Sequence, residues 1–226
     1  MSLAKSRSWN EVLDNLGENL IRLGTSLSAL SEHPTTPPND AAFAQSTERI
    51  STGFRLAFRQ ARPALSTGQK VFLQLTRASM EELGAAQTVG GTEHASRAHT
   101  LVHEGILVCQ EMVALLNQVE QASQAEPESL RRTLVPSLPR LAEMTASAGW
   151  ELRTVCHEYD SEVRLAEADG LSIKDLVPAS MGLLHDMAVA AQGLREARRE
   201  WFRVGQRLAS AVGVEVPQTD SDTEES

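Results

Sequence analysis

Apolar residues at alternating spacings of four and three constrain this chain more than any other feature: Trp9, Leu13, Leu16, Leu20, Leu23, Leu27 and Leu30. Such a spacing keeps side chains on one narrow face of an α-helix and buries that face against a neighbouring helix. A second stripe, Ala98, Leu101, Gly105, Val108, Met112, Leu115, Val119 and Ala122, repeats the pattern mid-chain. Nothing alternates with the period of two that a half-buried strand requires. Aromatic residues are only 4% against 41% hydrophobic, so the core is built from Leu, Val, Ala and Met. That composition favours helix on helix over a sandwich or barrel. The sequence therefore predicts an all-α fold: an antiparallel bundle of about five to six long helices forming one domain over 1–215, then an acidic, disordered tail over 216–226.

Local signals place the helices. Ser8, with Glu11 three residues on, reads as a capping box for a first helix running to Leu30. The Pro34, Pro37 and Pro38 cluster ends it. Asn39 or Asp40 then caps a second helix carrying Phe43, Ile50, Phe54 and Phe58, broken at Pro63. Ser66 or Thr67 opens a third, carrying Gly68, Phe72 and Leu75, and Val89-Gly90-Gly91-Thr92 reads as the turn after it. A fourth helix follows from Glu93 to Ser123. A fifth spans Pro127 to Ala168 and is kinked or divided by Pro136 and Pro139. Asp169-Gly170 closes it, and a sixth runs from Ala179 to Val212. The expected core includes Trp9, Leu13, Leu16, Leu20, Phe54, Phe72, Leu115 and Leu184.

The net charge of −9 is wrong for a phosphate backbone and argues against direct nucleic-acid binding. No stretch approaches the roughly 20 apolar residues of a membrane span, and no signal peptide is expected, so the chain reads as cytoplasmic, nuclear or both. Cys109 and Cys156, flanked by apolar residues, read as buried reduced thiols. His99 and His103 share helical metal-site spacing, with His94 and Glu104 near, but neither the zinc-protease order nor a third ligand at a telling spacing accompanies them. Cys156 and His157 are adjacent and point about 100° apart on a helix, so they do not form a nucleophile and base pair. No catalytic residue, metal or cofactor is expected, and the chain reads as a non-enzyme. Arg195, Arg198, Arg199 and Arg203, interleaved with Glu196 and Glu200, form an ion-paired helix surface and a candidate interaction face.

The first third carries a more specific pattern. Trp9 opens a helix ending in Thr25-Ser26-Leu27-Ser28-Ala29-Leu30, a proline-bearing loop with Pro34 and Pro38 follows, the second helix breaks at Pro63, and the third carries Gly68, Leu73, Leu75 and Arg77. Residues 9–83 thereby resemble the N-terminal domain of the cyclin-D-binding (Grap-and-cyclin-D-interacting) protein family. Leu107 to Met112 is similar to another stretch of that family. Leu183-Leu184 through Arg198 resembles the domain's last helix, and Thr219 to Ser226 the acidic linker after it. The resemblance implies a non-enzymatic regulator of cell-cycle progression and transcription whose partners are cyclin-type or helix-loop-helix proteins. A helical bundle can offer a partner helix an apolar groove. The alternative is a membrane- or cytoskeleton-associated structural bundle, a vinculin-like rod or crescent dimer, and homo-oligomerisation through an uncovered stripe stays open. In the tail, Thr219 and Ser221 each have an acidic residue three positions on, Asp222 and Glu224, the arrangement acidophilic kinases favour.

Overall fold

The computed structural model describes residues 3–31, 89–170 and 181–214, together with 45, 48 and 52. Among these the chain is helical apart from short turns and contains no strand, an all-α fold. In chain order the elements are α1 (Leu3–Ser31), α2 (Val89–Ala125), the short α3 (Pro127–Leu134), a 3-10 turn over Val135–Ser137, α4 (Leu138–Ala168) and α5 (Met181–Ala211). Helix two and helix three of the sequence reading, with Phe54 and Phe72, lie outside the described residues, except that Gln45, Glu48 and Thr52 are helical. So do the tail, Thr219 and Ser221, and the side chains of Trp9 and Leu184. Among the described residues no helix is long and apolar enough to cross a membrane.

The two stripes form the core. Leu13, Leu16, Leu20, Leu23 and Leu27 of α1 are buried, as are Leu101, Val108, Met112, Leu115, Val119 and Ala122 of α2. Along α5 the inward face is Met187, Ala191, Leu194, Ala197, Trp201, Val204 and Leu208, and all of it joins the same cluster. Each fully buried Leu contributes about 1.5–3 kcal/mol, more than helix propensity offers or withholds at one position. Burial of the stripes therefore fixes where these helices lie.

Proline divides the segment after α2 as its sequence implies. Pro127 occupies the first turn of α3, where a missing N–H costs nothing. Pro136 cannot donate a helical bond and its ring crowds the preceding turn, so α3 ends at Leu134 and the backbone tightens into the 3-10 turn. Pro139 then falls in the first turn of α4. At the far end Gly170 takes φ 69°, the left-handed conformation that glycine adopts without penalty.

Two expected boundaries are corrected. Ser8 lies inside α1, which begins at Leu3, and not at the start of the helix. The preceding Leu-Ala-Lys-Ser-Arg run is rich in strong helix formers and extends the helix past the expected cap. Val89 to Thr92 belongs to α2 rather than to a turn. Gly90 and Gly91 sit in its first turn, where amides have no intrahelical acceptor and the interior cost of glycine is reduced.

α1 packs along α4, α4 along α5, and α5 along α2. Partners of α1 and α4 run in opposite directions: Asp14 meets Arg153, Gly17 meets Gly149 and Gly24 meets Ala142. α4 and α5 also oppose each other, through Glu151 with Gly193, Thr145 with Trp201 and Arg140 with Glu200. α2 and α5 run the same way, since Glu104 meets Arg195 and Gln118 meets Gly205. The α1/α4 contact is backbone on backbone. A Cβ on Gly149 would fall 2.6 Å from the Gly17 carbonyl oxygen, and one on Gly24 would fall 2.7 Å from that of Ala142.

Candidate interaction face

α5 buries its apolar stripe in the centre of the fold, and this orients its arginines. Those beside the stripe turn toward neighbouring helices, and those opposite it face outward. Arg195 Nε donates to Glu104 Oε1 of α2 at 3.1 Å, and Arg198 Nε lies 3.9 Å from Glu104 Oε2. Glu104 is only 8% exposed, so the two guanidiniums hold a nearly buried carboxylate between α2 and α5. Glu111, seven residues further along α2, has its carboxyl pushed up by burial and pulled back by the Arg198 charge. Arg199 and Arg203 are exposed, and Arg203 Nη1 reaches Glu200 Oε2 at 3.4 Å.

The candidate face thus divides. Arg195 and Arg198 tie α5 to α2, while Arg199 and Arg203 are exposed, Arg203 with one guanidinium nitrogen on Glu200. Glu200 is not the surface counter-charge that its place between arginines suggested. It is 5% exposed, and Arg140 at the start of α4 reaches it with Nε at 3.1 Å. Glu196 does stay at the surface, accepting from the Gln192 amide at 2.8 Å.

Other inward polar groups also bridge helices. Trp201 Nε1 donates to Thr145 Oγ1 at 2.9 Å between α5 and α4, both buried. The Asn10 amide donates to the Cys156 carbonyl and to Asp160 Oδ1, each at 2.8 Å, joining α1 to α4. Arg153 Nε donates to Asp14 Oδ1 at 2.9 Å one turn away, with His157 Nε2 3.5 Å from the same oxygen. Gly193 and Gly205 on α5 receive the carboxylate of Glu151 and the amide of Gln118 where a side chain would otherwise stand. Burial raises the pKa of Glu151; a Ser147 hydrogen bond lowers it and the Glu196 charge adds to the rise.

Both cysteines are buried free thiols pushed upward by desolvation, and Cys109 Sγ donates to the Gly105 carbonyl at 2.8 Å. Of the histidine cluster, His103 is exposed while Glu104 is committed to the arginines; the side chains of His94 and His99 lie outside the described residues. Among the described residues no three His, Cys, Asp or Glu side chains are grouped to hold a metal ion. The chain matches no protein-family model, no curated protein and no solved structure.

Proposed function

We propose that this chain is a non-enzymatic interaction protein that binds its partners through the outward side of α5, in the manner its resemblance to cyclin-D-binding regulators implies. One observation carries the reading. The inward charges of the helices are engaged with one another, Glu104 with Arg195 and Arg198, whereas Arg199 and Arg203 remain exposed on a firmly packed helix of an acidic chain. Guanidinium groups on a fixed scaffold suit carboxylate recognition, and little ordering is needed when a partner arrives. The residue pattern over 9–83 and 183–198 supports cyclin-type or helix-loop-helix proteins as those partners. The reading extends to one domain over 1–215, a helical bundle completed by the helices expected between residues 39 and 88, its α1/α4 and α4/α5 pairs antiparallel and its α2/α5 pair parallel rather than antiparallel as expected, working in the cytoplasm or nucleus with no cofactor.

The test is titration of the full chain with a purified D-type cyclin and a purified helix-loop-helix regulator, followed calorimetrically. At least one should bind, and Arg199→Glu with Arg203→Glu should weaken it about tenfold or more, as reversing charges at a contact does. Binding that is indifferent to both substitutions, or no binding to either class, overturns the proposal.

A further inference from the structure

Although the chain carries a net charge of −9, positive charge gathers on one part of its surface. Arg199, Arg203 and Arg207 stand four residues apart along the outward side of α5, all exposed, and Arg140 of α4 comes alongside through its contact with Glu200. Two acids lie among them. Glu200 is held between Arg140 and Arg203, and Glu196 accepts from Gln192. Four guanidiniums therefore face two carboxylates, leaving a surplus of positive charge.

The end of α5 sets where the rest of the chain departs. The Val214 N–H donates to the Ala209 carbonyl at 2.9 Å, the Gly213 N–H donates to that of Ser210 at 3.3 Å, and Gly213 has φ 71°. This paired-bond glycine cap turns the backbone off the helix axis. Beyond it the sequence brings Asp220, Asp222, Glu224 and Glu225 within six residues, with no basic residue among them. Arg199 lies about 21 Å back along the helix from Gly213 at 1.5 Å per residue. Six to eleven residues beyond Val214 extend about 20–36 Å at roughly 3.3 Å each, which covers that distance.

We propose that the acidic segment Asp220–Glu225 docks on the arginine patch of the same chain. A tether this short gives an effective concentration in the millimolar range, so an attraction of millimolar strength populates the docked state substantially. Single exposed ion pairs are weak, but four carboxylates meeting a patch with a surplus of about two positive charges act as a network. Phosphate on Thr219 or Ser221 would add about −1.5 to −2 charges and deepen the contact. Only the consequence rests on the function proposed above: the docked segment and an acidic partner compete for Arg199 and Arg203.

The experiment uses the full chain carrying Ser226→Cys with a nitroxide label, Cys109 and Cys156 being buried, and reads paramagnetic broadening of backbone amides. At about 50 mM NaCl the amides of residues 199–207 should lose at least half their intensity relative to the reduced label, and recover it at about 500 mM. The same recovery is expected when Asp220→Asn, Asp222→Asn, Glu224→Gln and Glu225→Gln are combined. Broadening absent from 199–207 at low salt, or surviving neutralisation of the segment, overturns the proposal. So does broadening of equal size in an isotope-enriched unlabelled chain mixed with labelled chain, which would assign the contact to a second copy. No partner is present in these samples, so the result is independent of whether cyclin-type proteins bind.

Discussion

Replacing Gly149 probes the closest approach of one helix backbone to another at any glycine among the described residues. Besides the Ile21 side chain at 2.9 Å, an alanine Cβ would meet there the Gly17 carbonyl oxygen at 2.6 Å and the Ile21 amide nitrogen at 2.9 Å. The last two belong to the α1 backbone, so neither can rotate away. Ordinary contact begins near 3.4 Å, and α1 and α4 must part by about 0.8 Å at this point. A gap of about 0.5–1 Å forfeits a quarter to a half of the dispersion energy of the facing atoms, and overpacking of a well-packed interior costs about 1–3 kcal/mol. Alanine returns about 1 kcal/mol of helix propensity relative to glycine, so the net loss for Gly149→Ala is about 1 kcal/mol. Valine returns less and adds two methyl groups, which takes Gly149→Val to about 3 kcal/mol. Urea unfolding followed by far-ultraviolet circular dichroism reads both as a fall in midpoint at constant m-value. Gly182→Ala on α5, where nothing lies within 4 Å, is the control and should match the parent or exceed it by up to about 1 kcal/mol, the propensity gain without the clash. A Gly149→Val protein as stable as the parent would refute the backbone approach of α1 and α4.

Trp201→Phe removes the donor to Thr145 and leaves a buried hydroxyl without it, so thermal unfolding should register a loss of about 1–3 kcal/mol, part of which Thr145→Val restores in the double variant. Glu151 has a folded pKa above its ordinary value, chiefly through burial, so its protonated form favours the fold. Its contribution is greatest below the ordinary glutamate range and is lost as pH rises through the folded pKa. Glu151→Gln should therefore raise Tm at neutral pH, with the gain shrinking as the solution is acidified, and a gain that grows in acid would contradict the assignment. Burial pushes the thiols of Cys109 and Cys156 up, so Ellman's reagent at mildly alkaline pH should modify neither until urea unfolds the chain.

The apolar stripes were legible because heptad spacing is a local property: Leu13 to Leu27 and Leu101 to Ala122 occupy the core positions that their spacing implies. Pro136 and Gly170 were legible for the same reason, since a missing N–H and a left-handed backbone act within one turn. The candidate face was only half readable. That Arg199 and Arg203 point outward follows from the α5 stripe, but the partner of Arg195 is Glu104, 91 residues away, and no local pattern announces such a pair. Glu200 looked like a surface counter-charge on its own helix and is instead buried against Arg140 of α4. Gly17, Gly24 and Gly149 did leave a signal, glycines inside strong helical patterns with two of them seven apart, and close helix packing is the usual physical reason for such placement.

The outward side of α5 as partner contact is tested most directly by site-specific photocrosslinking of the full chain to a purified D-type cyclin. The crosslinker is placed at Gln206, exposed on α5 between Arg203 and Arg207, and in a parallel protein at Gln121, exposed on α2. A covalent adduct formed from Gln206, absent from Gln121 and lost on Arg199→Glu with Arg203→Glu, is the expected result. An adduct formed from Gln121 and not from Gln206 would contradict it.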